Sequence, residues 1–128
     1  MKQILALGKY PVFTLELDKN ETVASSVDEI IAYFKAQIEA HPITAFIGIF
    51  DHYTHTKSIG GSIAPNIQDV QNIVFCFGPA IPTPDMVAVR PRSIGVTDVG
   101  DKFIINFLEA PGDMPNQTME QWVKALIK

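Results

Sequence analysis

ITAFIGIF, residues 43–50, carries no charged side chain and is apolar at nearly every position. In an extended chain its side chains alternate, with Ala45, Ile47 and Ile49 on one face and Phe46, Gly48 and Phe50 on the other. Both faces are apolar, the pattern of a strand covered on two sides. NIVFCF, residues 72–77, repeats it, with Ile73, Phe75 and Phe77 opposing Val74 and Cys76, and FIINFL, residues 103–108, largely does so too.

Upstream, PVFTLEL (11–17) alternates as a strand, with Phe13, Leu15 and Leu17 on one side, and Asp18-Lys19-Asn20 ends it. Ser26-Val27-Asp28-Glu29 is a capping box that opens a helix. Val27, Ile30, Ile31, Phe34 and Ile38 follow at helical spacing and form its buried stripe, while Asp28, Glu29, Lys35 and Glu39 face water. Pro42 stops that helix, and His41 stands where a cation suits the helix dipole. Downstream, MVAV (86–89) and SIGVTDV (93–99) supply one more strand, interrupted at Arg90-Pro91-Arg92 because proline cannot donate to a ladder. Asp98-Val99-Gly100-Asp101 reads as a hairpin turn into the last strand. A final helix is expected near Asn116 to Thr118, where Thr118 and Gln121 match a second capping box, with Met119, Trp122, Val123, Leu126 and Ile127 on its apolar side.

The order predicts one α+β domain over residues 1–128, a two-layer β-α-β4-α fold with a mostly antiparallel five-stranded sheet and both helices on one face. Two helices leave the second face uncovered, where Phe46, Phe50, Val74, Ile104 and Leu108 are expected. Each such side chain left in water forgoes about 1.5–3 kcal/mol. A second copy of the chain, a small ligand in a cleft, or the segment 52–71 folded over the sheet would supply the cover. Gly48, between Phe46 and Phe50, leaves room for a ligand or another backbone to approach.

Composition narrows the function classes. The 128 residues carry 14 acidic and 10 basic side chains, a net charge of −4, with no basic cluster, which argues against a nucleic-acid partner. The lone Cys76 cannot close an internal disulfide. MKQILALGKY is too short an apolar run for a secretory leader, and no later stretch approaches a membrane span, so a cytoplasmic location is expected.

From Ser26 to Pro111 the sequence resembles a bacterial group, domain of unknown function family 302. The likeness rests on the capped helix, a strand ending in Phe50-Asp51-His52, a glycine after a short link (Gly60 or Gly61), a strand ending in Phe77-Gly78 with Pro79 behind it, then Thr83-Pro84 and Met86. It implies a fold like that of the TATA-binding protein (TBP-like) and no settled activity.

The change of character inside GIFDHYTHTK (48–57) is the main chemical candidate. In an extended strand Asp51, His52 and His55 could not converge. If a helical turn begins after Asp51, as the resemblance suggests, His52 and His55 share a side, and Asp51 would complete a metal site or lie beside a haem. The simpler reading of the same residues is a carboxylate cap on a turn and a hydrogen-bonded histidine at a sheet edge, with acid/base catalysis as a further alternative. Arg90 and Arg92, straddling Pro91, point the same way if extended and could clamp an anion. Cys76, inside FCF, reads as a small core residue. The expected function is a homodimeric module that binds a small apolar or anionic ligand, or another copy of itself, around Phe46, Gly48, Phe50, Asp51, His52, His55, Arg90 and Arg92; the alternative is a metal- or haem-dependent protein or enzyme built on Asp51, His52 and His55.

Overall fold

A computed structural model describes residues 1–128. In chain order the elements are β1 (Lys2–Ala6), β2 (Tyr10–Asp18), α1 (Val27–Ala40), β3 (Thr44–Asp51), α2 (His52–Ser58), β4 (Asp69–Phe77), β5 (Arg92–Asp98), β6 (Lys102–Leu108) and α3 (Asp113–Lys124). Short 3₁₀ turns occupy Lys19–Glu21 and Pro84–Val89. The strands form one open sheet of six in the order β1-β2-β6-β5-β4-β3, antiparallel at every pairing.

The α+β class and the antiparallel sheet therefore stand, with a sixth strand that the sequence pattern did not reveal. Residues 2–6 pair with β2 at the sheet edge, where exposure on both sides removes the alternation that marks a half-buried strand. Leu7 and Gly8 make the tight return, both at positive φ. Met86 to Val89 are not strand; Pro84 pre-sets a 3₁₀ turn there, and β5 begins only at Arg92, beyond the cis Arg90–Pro91 bond.

The capped helix forms where expected. Ser26 Oγ accepts from the Glu29 amide at 3.1 Å, while the Glu29 carboxylate reaches back one residue further, to the Ser25 amide and hydroxyl. Val27, Ile30, Ile31, Phe34 and Ile38 are all at most 2% exposed. The last helix begins earlier than expected, at Asp113 after Gly112, and Thr118 caps nothing. Asn116 instead secures the approach to α3, accepting from the Ala110 amide and donating to the carbonyls of Ala110 and Gly112. Met119, Trp122, Val123 and Leu126 are buried, whereas Ile127 lies past the helix end and is exposed.

The core lies between these two helices and one sheet face, with Leu17, Ile73, Phe75, Ile94, Val96, Phe103, Ile105 and Phe107 beneath them. Trp122 stacks on Phe77 and meets Phe75 edge-on, and the Tyr33 hydroxyl donates to the Trp122 carbonyl at 2.7 Å, tying α1 to α3. One register event decides what faces away from this core. Between Phe46 and Gly48 the β3–β4 pairing slips by one residue, so Phe46 sits opposite Phe75 but Gly48 sits opposite Val74. Simple alternation placed Phe46 with Gly48 and Phe50; the bulge instead turns Phe46 toward the helices, beneath the Lys35 ammonium at 4.8 Å from its ring, and leaves Ala45, Gly48 and Phe50 on the open face.

Core truncation should show this layer's weight. Phe34→Ala, at a site 0% exposed, is expected to lower unfolding free energy by about 3–5 kcal/mol in urea titrations, and Leu7→Ala, at a site 90% exposed, by less than about 0.5 kcal/mol.

Candidate functional site

The open sheet face carries Ile4, Val12, Leu108, Asn106, Ile104, Ser93, Gly95, Thr97, Val70, Asn72, Val74, Gly48 and Phe50, by register across the six strands. Its one shoulder is α2, which follows β3 directly. Asp51 makes that turn: its carboxylate oxygens accept from the Thr54 amide and the Thr54 hydroxyl, each at 2.9 Å. A side chain spent in this way is an N-cap, and the helix it starts brings His52 and His55 back over the sheet. Both rings lie against Phe50, His52 edge-on at 4.6 Å between centroids and His55 tilted at 5.3 Å.

His52 is oriented by the sheet. Asn72 Nδ2 donates to His52 Nε2 at 2.6 Å, which leaves the ring proton on Nδ1. The expected metal set of Asp51, His52 and His55 is not assembled, and no group of three or more His, Cys, Asp and Glu side chains comes together to hold a metal ion. The reason is local: Asp51 caps with both oxygens, and His52 Nε2 already accepts from an amide.

Asn72 belongs to a row that the sequence analysis passed over. Asn72, Gly95 and Asn106 are directly opposed on β4, β5 and β6. A methyl group on Gly95 would stand 3.0 Å from Asn106 Oδ1 and 3.1 Å from Asn72 Oδ1, so the two carboxamides lean over the position where a side chain is missing. The available signal was a polar residue inside each of two apolar strands, at the same level as a glycine in the strand between. Ile4, Val12 and Leu108 border the shallow depression around this row. Cys76 is half-buried on the same face, not in the core.

Arg90 and Arg92 lie elsewhere, at the end of the sheet where β4 leaves and β5 enters. They line a cavity of about 130 Å³ between the 78–91 connection and the start of α3, walled by Phe77, Met86, Val89, Met114 and Pro115. Arg92 Nη1 donates to the Val89 carbonyl at 3.2 Å and Nη2 to the Leu108 carbonyl, while its Nε is buried without a partner. The eight sequence-level candidates thus divide among three places: Gly48, Phe50, Asp51, His52 and His55 at one end of the open face, Phe46 on the opposite face, and the two arginines at the cavity.

The sequence matches over residues 1–128 the family described as "Family of unknown function (DUF6858)", and the chain belongs to it. This overturns the resemblance to family 302: Phe50-Asp51-His52 and Phe77-Gly78 mark strand ends of a different family. No curated protein matches the chain. No helix is long and apolar enough to cross a membrane.

Two outcomes follow from the local electrostatics. Asp51→Ala removes the cap and should speed amide exchange across His52–Ser58, at a local cost of about 0.5–2 kcal/mol, without changing exchange in α1. Asp69 has its carboxyl raised above the ordinary value by desolvation first, then by the nearby charges of Asp51, Asp28 and Asp98, against a lowering by the Val70 amide. A raised carboxyl destabilises the fold once ionised and has no effect when protonated in both states. Asp69→Asn is therefore expected to raise the melting temperature at pH 7, with the gain disappearing below about pH 4.

Proposed function

Taking membership of a family without an assigned activity as the premise, we propose that this domain is a homodimeric interaction module of a reducing cytoplasm, with a second copy packed on the open sheet face. The observation that carries the reading is the character of that face. Its charged residues, Lys2, Glu16, Asp18 and Lys102, occupy one corner and balance in sign, two acidic against two basic, with Glu16 bridged to Lys102 at 2.9 Å and to Lys2 at 3.9 Å. Away from that corner the sheet offers only apolar, hydroxyl, thiol and carboxamide groups. Ile4, Leu108 and Phe50 there are 40%, 48% and 43% exposed. An uncharged centre with a charged rim is how a protein interface is composed.

Area supports the same reading. Six strands about 4.8 Å apart, each about seven residues long at about 3.3 Å per residue, present roughly 650 Å² before side-chain relief. A stable interface takes about 800 Å² from each partner. Self-pairing also suits the chemistry of the face. A carboxamide both donates and accepts, so Asn106 and the free Oδ1 of Asn72 can be answered by their own two-fold copies, whereas an apolar partner would leave these groups unpaired at about 1–3 kcal/mol each.

Sedimentation equilibrium is expected to give twice the chain mass, and Val12→Lys with Leu108→Lys to give the single-chain mass with an unchanged far-ultraviolet spectrum. A single-chain mass for the unaltered protein, or a dimer that survives the paired lysines, would refute the reading; the second result would move the contact to an exposed edge strand, β1 or β3.

A further inference from the structure

The cavity beside Arg92 has no part in a face-to-face dimer and rests on a different observation. Neither Arg90 nor Arg92 takes part in any of the four ion pairs of the chain. No Asp or Glu lines the cavity. Arg92 is half-buried, and burial lowers its guanidinium below the ordinary value, the sign of a cation without a compensating charge. A guanidinium withdrawn from water normally meets a carboxylate or phosphate that accepts its fork of N–H groups. Here Nη1 and Nη2 are turned to backbone carbonyls and Nε has no acceptor at all. The start of α3, whose cap residue Gly112 has no side chain to offer, forms part of the same wall, with the Asp113 carboxylate in its first turn but not in the cavity lining.

The rest of the wall is apolar, from Phe77, Met86, Val89, Met114 and Pro115. A volume of about 130 Å³ compares with the roughly 150 Å³ apolar cavity that holds a benzene molecule in an engineered protein. The two flexible methionines let such a wall adjust to a ring or a short chain. An inorganic anion would leave those walls uncovered, and a neutral hydrocarbon would leave the arginines unanswered. We propose that this cavity binds a small organic carboxylate, with its charged end on Arg92 and Arg90 and its ring or short alkyl body between Met86 and Met114.

The test compares two probes of nearly equal shape and volume, benzoate and benzyl alcohol, titrated into the ¹⁵N-labelled full chain. Benzoate is expected to shift the amides of Met86, Val89, Arg92, Ala110 and Met114 and to bind at least about tenfold more tightly than the alcohol. Arg92→Gln and Arg90→Gln should each bring benzoate toward the affinity of the alcohol. Arg92 also holds two carbonyls, so its variant can lose structure; Arg90→Gln and the acid–alcohol comparison on the unaltered protein do not depend on it. Equal binding of the two probes, shifts confined to other surfaces, or no shift up to the solubility of benzoate would each overturn the proposal. None of these results bears on the dimer, whose mass is measured separately.

Discussion

The packing of α1 and α3 over one face of the sheet is the contact on which the rest of the structure depends. Phe34, Ile30 and Ile38 from the first helix, and Met119, Trp122 and Val123 from the last, close over Ile73, Phe75, Ile94, Phe103 and Ile105. At about 0.8 kcal/mol per buried methylene, this layer supplies most of the favourable free energy of folding. The Tyr33 bond to the Trp122 carbonyl ties the two helices, far apart in sequence, to one position. Having both helices on one side leaves the other side of a six-stranded sheet with only α2 as a shoulder, and the features of the open face follow from that asymmetry.

Strand β3 shows how one extra residue redistributes chemistry. Without the bulge, Phe46 would stand on the open face with Gly48 and Phe50; with it, Phe46 fills the helix side opposite Phe75 and Phe50 alone remains to meet His52 and His55. Side-chain period in a strand is two, so a slip of one exchanges the faces of everything beyond it. The bulge also sits on an edge strand, where irregular pairing discourages unwanted association along the edge.

The polar groups that matter are held by short-range chemistry. Asp51 commits both oxygens to Thr54, so the turn after β3 is stable and His52 arrives where Asn72 can fix its tautomer. Asn72 and Asn106 lean together because the residue between them is a glycine. At the far end of the sheet, Arg92 is drawn inward by the Val89 and Leu108 carbonyls without meeting a carboxylate. Asp51 is satisfied within the chain, whereas the half-buried Arg92 guanidinium leaves its Nε without an acceptor, and a cation partly withdrawn from water without a countercharge points to a binding partner.

By itself the amino-acid sequence determined the capped first helix with its five buried residues, the apolar character of β4 and β6, the Asp98–Asp101 turn, the apolar side of the last helix and the α+β class. Those are set by nearest-neighbour physics: capping hydrogen bonds, helical spacing and strand alternation act within a few residues. Tertiary structure alone decided that Lys2–Ala6 is a strand, that Phe46 turns inward, that Asp51 caps instead of joining the histidines as a ligand, that Asn72 and Asn106 meet over Gly95, and that the two arginines enclose a cavity with α3. Each of these depends on which strand lies beside which and in what register, a long-range pairing between residues up to about a hundred positions apart that no local pattern encodes.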